Sequence, residues 1–493
     1  MSENYSHILK YTGIFGGVQG ISILVGIVRT KLVAVLLGTE GVGLASLFNS
    51  TIKLVGDSTN LGLSVSAVRE ISDAYEKDDA ERLNHSIKLI RSWSLLTALL
   101  GMLVCLAASP LLNKWTFTWG DHTLHFVLLS PVVALWAITG GEIAVLKGTR
   151  RLRALAEISI YNVVASLLVT VPLYYFWREA AIVPVLFLVA LVQMLLTIGY
   201  SYRFHPLHVS LSKLLLREGL GMVWLGVAFV LAGIMGSGAE VVIRSYLNVS
   251  GELDTVGLYN AAYMLTITYA GLVFSSMEVD YFPRLSAVGQ DSQQLSLTVN
   301  RQIEVSLLIV SPMLAALIVL LPVLVPLLFS AKFVPMVPMA QVAVFSMYLK
   351  ALSLPISYTN LARGNSLGYL LIEAAYDIVL VLLIVVGYRY LGLLGTGVAL
   401  AVSYVIDLVI VYVYTNVHYG YRLSASVVRY ATIQLLLGAG VYCVAHFASC
   451  WTGWLVGIFL VVLSLAYSLF VLHQKTSLWS ALTMKFRKRF RHG

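Results

Sequence analysis

Apolar positions in this chain fill whole runs of about twenty residues, the length a helix needs to cross a bilayer. The runs recur from one end to the other, near 11–36, 41–68, 91–112, 123–146, 155–177, 181–202, 219–247, 255–282, 304–330, 336–361, 366–388, 391–416, 428–447 and 453–473. Short connections alternate with longer basic ones. The pattern predicts an all-α polytopic membrane protein of about 14 transmembrane helices. A β-barrel is excluded, because its strands would be short and alternating.

Composition agrees with that reading: 59% of the 493 residues are hydrophobic and 12% charged, with a mean hydropathy of +0.85. A soluble domain carries roughly twice that charge fraction. The net charge of +9 would suit a polyanion partner, but its placement points elsewhere. With the N-terminus inside, 24 of the 33 basic residues fall on the cytoplasmic side, four on the outer side and five within spans. That is the positive-inside bias of a topology signal, so both termini are expected in the cytoplasm and no nucleic acid is implied. Met1 to Lys10 lacks the apolar core of a cleavable leader. Cys105, Cys443 and Cys450 are scattered and give neither a disulfide framework nor a metal spacing. His122 and His125, three apart, read as a solvated outer loop. The tail KFRKRFRHG reads as a topology anchor that could also meet anionic headgroups.

The chain also resembles itself at an offset of 214 to 216 residues. Arg29 aligns with Arg244, Val42–Leu44 with Val256–Leu258, and Arg69 with Arg284. Pro110–Leu112 aligns with Pro326–Leu328, Lys147–Gly148 with Arg363–Gly364, and Glu157 with Glu373. Six spans separate the equivalents, so both halves share one orientation. Parallel repeats of this kind place a substrate site at their interface. The expected organisation is two pseudo-symmetric six-helix lobes around a central cavity, 1–205 and 206–420. Residues 421–493 add spans 13 and 14 and the basic cytoplasmic tail.

Five cations stand inside the spans: Arg29, Lys31, Lys53, Arg244 and Lys350. Asp57, Glu240, Asp280 and Asp377 are among the acids at comparable depth. Ionisable groups in hydrocarbon are costly and mark pathways or binding sites. Lys53 and Asp57 share a helix face, as do Glu240 and Arg244, so each pair could neutralise itself at i,i+4 spacing. Arg29 and Lys31 have no acid at helical spacing in their own span, so water, an acid elsewhere or an anionic ligand must compensate them. Guanidinium suits phosphate through paired hydrogen bonds. The five cations are therefore the candidate substrate-binding set; Asp57, Glu240, Asp280 and Asp377 are candidates for coupling or gating. Gly392, Gly395 and Gly397 read as a close helix contact. No sequence motif supports catalysis, a metal site or a resident cofactor. A glycan polymerase would need a large outer loop carrying acids, and the outer connections are short.

The stretch VRTKLVAVLLGTEGVGL (Val28 to Leu44), followed by a long polar-dotted helix ending LGLSVSAVREIS, resembles the Wzx-type flippases. These belong to the multidrug/oligosaccharidyl-lipid/polysaccharide (MOP) exporter superfamily. The resemblance implies alternating access and, as substrate, an undecaprenyl-diphosphate-linked oligosaccharide such as an O-antigen or other surface-polysaccharide repeat unit. It also implies a bacterial inner membrane, contact with membrane lipids, polysaccharide polymerase machinery as a partner, and coupling to protons, sodium or the membrane potential. By similarity Arg29 stands where these flippases carry a cavity cation. The drug-exporting branch typically has an acid in its first span, which is missing here. The fourteen spans leave the lipid II flippases as an alternative, and a cation-coupled drug antiporter as a second.

Overall fold

Hydrocarbon offers no partners for backbone N–H and C=O groups, so apolar runs must satisfy them within helices. The computed structural model is accordingly helical along nearly its whole described length, with no strand among the described residues. It describes residues 2–77, 79–117, 119–209, 212, 217–288, 291–447 and 451–475. Side chains of 2–23, 64–65, 76, 152, 221–229, 275–276, 278–280, 283, 447 and 451–452 lie outside the described set. The expectations for Asp280 and for the basic tail fall outside it. Eleven described stretches are long and apolar enough to cross a membrane. Three of them, containing a break at Gly38, the joint at Arg178–Ala181 and a break at Gly392, each hold two legs. That gives fourteen legs in all, the number the apolar runs predict.

The chain forms two compact units, Met1–Asn260 with Pro326–Phe333, and Ala261–Val325 with Val334–Gly493. The first holds α1 (Ser2–Thr59), α2 (Leu63–Glu76), α3 (Ala80–Thr116), α4 (Thr123–Gly148), α5 (Leu152–Trp177), α6 (Ile182–Phe204) and α7 (Leu220–Ser250), then the start of α8 (Leu253–Tyr263). The second continues through a π-helical stretch, Met264–Tyr269, into α9 (Ala270–Ser286). It then holds α10 (Ser292–Leu328) up to Val325, α11 (Val337–Ala362), α12 (Ser366–Tyr419), α13 (Ala425–Phe447) and α14 (Trp451–Lys475).

In the first unit α1 turns at Gly38, whose φ of 71° and ψ of −168° suit only a residue without a Cβ. Arg178 Nη1 donates to the Leu36 carbonyl beside this break at 2.8 Å. The second leg ends at Thr59, earlier than the apolar run suggests. Leu61 and Gly62 take positive φ, and α2 then starts as a separate amphipathic helix. Leu63, Ala67, Ile71 and Ala74 are buried at the spacing of one helix face, while Arg69 and Asp73 are exposed. That face packs on Ile87, Ile90 and Trp93 of α3 and on Val145 of α4.

Arg91, one of the basic residues counted to the cytoplasmic side, is buried within the protein. Its Nε and Nη2 hold the Glu142 carboxylate at 2.9 and 3.2 Å, and the two side chains are 3% and 4% exposed. Nη1 donates to the Pro206 carbonyl at 2.7 Å and Nη2 to the His205 carbonyl at 3.0 Å. One guanidinium thus joins α3, α4 and the segment leaving α6. Removing one partner of such a pair strands a buried charge, at about 3–5 kcal/mol. Arg91→Ala is expected to lower the unfolding midpoint of the detergent-solubilised protein sharply; an unchanged midpoint would refute this role.

His122 and His125 do not sit in a solvated loop. Their rings lie 5.9 and 5.5 Å from that of Phe48 on α1, with Phe117 4.3 Å from His122. Burial, with the neighbouring His125, holds the His122 ring below the usual histidine range.

In the second unit α12 breaks at Gly392 (φ 58°). A Cβ on Gly395 would collide with the Gly387 carbonyl, and one on Gly397 with the Met339 backbone of α11. This is the close helix contact expected at these glycines.

Candidate anion-binding site

Helical spacing sets the depth of the charges in the first unit. At 1.5 Å per residue, Arg29 and Lys31 lie about 14 and 10 Å along α1 from the break at Gly38. Arg244 and Glu240 lie about 9 and 15 Å back from the C-terminal end of α7 on the same rise. All four lie inside helices long and apolar enough to cross a membrane.

Four of the predicted residues come together. Glu240 on α7 accepts from Lys53 on the second leg of α1 through Oε1, and from Arg244, one turn further along α7, through Oε2, both at 3.2 Å. Arg244 Nη2 donates to Asn260 Oδ1 of α8 at 3.3 Å, and its Nε is buried without a partner among the described residues. Asp57 bonds Ser237 and lies within electrostatic reach of both Lys53 and Glu240. The i,i+4 pair Glu240–Arg244 forms as spaced. Lys53, in contrast, pairs across helices with Glu240, not with Asp57 on its own helix.

Access differs within the cluster. Lys53 and Glu240 keep 44% and 32% of their side chains exposed, whereas Arg244 keeps 9%. Arg244 is thus a fixed cation; Lys53 is an accessible one.

Arg29 and Lys31 have no carboxylate partner among the described residues. Lys31 Nζ donates to the Pro326 carbonyl at 2.7 Å. Arg29 is half-buried, within electrostatic reach of Tyr174 on α5. With Lys53 and Arg244 balanced by Asp57 and Glu240, the first-span pair stays without a compensating carboxylate among the described residues.

Sequence reasoning did not select Ser237 or Asn260. Both are short polar residues in apolar helices, and only helix packing brings them to the charges. It also did not foresee a contact between the start of the second leg of α1 and the start of α8. Thr39 Oγ1 bonds Asp254. A Cβ on Gly43 would strike the Leu253 carbonyl, and one on Gly257 the Thr39 carbonyl. Gly43 and Gly257 are equivalents in the internal repeat, and their backbones meet directly.

The other two predicted residues, Lys350 and Asp377, stand in the second unit. Lys350 on α11 and Asp377 on α12 both lie within electrostatic reach of Glu373, which accepts a hydrogen bond from Tyr369. Asp407 bonds Ser353 and also feels Lys350. Tyr376 and Tyr404 close this group with ring centroids 5.2 Å apart.

Several solved structures share the fold. An inward-facing multidrug resistance MATE family transporter of the MOP superfamily superposes with a TM-score of 0.70 at 14% identity, over 81% of this chain and 94% of that one. The lipid II flippase MurJ, in an inward closed conformation, gives 0.71 at 12% identity over 94% and 99%. A MOP superfamily transporter from Pyrococcus furiosus, whose binding pocket is described as having reverse polarity, gives 0.59 at 12% identity over 83% and 93%. The fold is therefore that of MOP transporters, and the chain is a multi-pass membrane protein. No protein of curated function matches its sequence. The polysaccharide biosynthesis protein family matches over residues 32–338, more than half of the chain and including Lys53, Asp57, Glu240 and Arg244, so the chain belongs to the polysaccharide biosynthesis protein family.

Proposed function

We propose that this protein is a flippase that carries an undecaprenyl-diphosphate-linked oligosaccharide, an O-antigen or other surface-polysaccharide unit, from the cytoplasmic to the periplasmic leaflet of a bacterial inner membrane. The observation that carries the reading is the pair of intramembrane cations on the first span, Arg29 and Lys31, which have no carboxylate partner among the described residues. A diphosphate diester bears about two negative charges and supplies what they lack. The sugar head cannot enter hydrocarbon unaided, since each buried hydroxyl without a partner costs a few kcal/mol. A polar path through the protein replaces those partners while the prenyl tail stays in lipid.

Alternating exposure of the site to the two leaflets completes the cycle, with the outer Gly43–Gly257 contact as the closed state on one side. Outward movement of negative charge is favoured by an inside-negative potential, about 2.3 kcal/mol per charge per 100 mV. Asp377, with Glu373 and Asp407, is the candidate for proton or sodium coupling in the second unit, and Lys350 supplies a cation there. A cation-coupled drug antiporter of the same fold fits less well, because a cationic cargo would meet uncompensated cations. A lipid II flippase shares the diphosphate chemistry, so substrate arms must separate it.

Purified protein in vesicles, supplied with lipid-linked oligosaccharide, lipid II or a cationic drug, is expected to move the first between leaflets. Movement of lipid II alone would assign the alternative flippase, and drug export without glycan transfer would overturn the proposal.

A further inference from the structure

We infer that Glu240 is a resident counter-anion that the substrate's diphosphate displaces. This rests on the reading that the cations of the first unit hold that diphosphate.

The geometry is that of a bridging anion. Two oxygens of one carboxylate each hold one cation, from two different helices, both at 3.2 Å. Two oxygens of a phosphate would span the same pair. Charge-assisted bonds in well-formed pairs run at about 2.7–2.9 Å, so this bridge is loose. Its exposed members are the two that must move, Lys53 and Glu240; Arg244 is held from its other side by Asn260. The buried, unpartnered Nε of Arg244 is a spare donor on the fixed cation that an entering phosphate oxygen can take. When Glu240 leaves Lys53, Asp57 remains within electrostatic reach of that ammonium.

The device has a transport consequence. With Glu240 in place the cluster is neutral, so the empty carrier can reorient without two bare cations in low dielectric. With diphosphate bound, Glu240 is released and the loaded state is distinct. Glu240 is therefore a positioning residue that sets affinity and speeds the return of the empty carrier.

The test uses the full chain in lipid nanodiscs with inorganic pyrophosphate as the probe, followed by glycan transport in vesicles. Glu240→Gln keeps the shape and loses the charge. Its pyrophosphate affinity is expected to rise about three- to tenfold over wild type, while maximal transport and the half-saturating concentration both fall. Asp57→Asn removes a charge from the same cluster without removing the bridge and is expected to shift affinity less. Lys53→Gln reports on the site itself. If wild type binds pyrophosphate no better than Lys53→Gln, the diphosphate site is refuted. If wild type binds better than Lys53→Gln but Glu240→Gln binds as wild type or more weakly, Glu240 is a structural partner and the displacement inference falls. An affinity gain in Asp57→Asn equal to that in Glu240→Gln would likewise overturn it, since any lost negative charge would then suffice.

Discussion

Gly257→Ala is expected to cut glycan translocation about tenfold, although it adds a single methyl group. A Cβ at this position would collide with the Thr39 carbonyl, a backbone atom that cannot rotate away. Overpacking of this kind costs about 1–3 kcal/mol, and each 1.4 kcal/mol shifts a two-state population tenfold. The cost falls only on the state in which the second leg of α1 meets α8, so the protein should still insert and fold. Gly43→Ala, on the other side of the contact, should behave alike. Gly199→Ala on α6 meets no neighbouring atom within 4 Å and is the silent control. The check is the initial rate of transfer in vesicles at equal protein density. Equal rates for Gly257→Ala and Gly199→Ala would show that the Gly43–Gly257 contact takes no part in the cycle.

The second large effect belongs to the first span. Arg29→Gln with Lys31→Gln is expected to weaken binding of the lipid-linked diphosphate by about 10- to 100-fold, because hydrogen bonds to charged groups contribute about 1.5–3 kcal/mol. Folding should be spared. Among the described residues neither cation has a carboxylate that its removal would strand, in contrast to Arg91, whose loss leaves Glu142 buried alone. Lys31 gives up one bond to the Pro326 carbonyl; Arg29 gives up none among the described residues. The same kind of substitution thus separates a binding cation from a structural one by which measurement moves.

Much of this architecture is legible in the sequence because hydrocarbon reduces the choices to one. Long apolar runs have to be helices, and their count and the glycine contact at Gly395 and Gly397 follow directly. Neighbours within a helix follow from its period, and Glu240 and Arg244 pair as their spacing requires. Partners across helices do not follow. Lys53 meets Glu240 because α1 and α7 pack in one register, and no local pattern contains that register. Arg91 reads as a cytoplasmic topology charge because nothing near it in the chain reveals Glu142, 51 residues on. The apolar stretch after Asn60 reads as continued membrane helix, yet the spacing of Leu63, Ala67, Ile71 and Ala74 buries one face against α3 and α4 and leaves the other exposed. The Gly43–Gly257 contact is half visible. The repeat aligned Val42–Leu44 with Val256–Leu258, but alignment shows equivalence and cannot show that the two glycines touch.

Phosphate is the partner expected for Arg29 and Lys31, which have no carboxylate among the described residues. Equilibrium binding of the undecaprenyl-diphosphate glycan, and of the same glycan on a phosphate-free lipid, to wild type and to the Arg29→Gln, Lys31→Gln variant in nanodiscs tests this most directly. The prediction is tight, salt-weakened binding of the diphosphate form by wild type, with the preference over the phosphate-free lipid largely lost in the variant. Equal affinity of wild type for both lipids, or an undiminished preference in the variant, would contradict it.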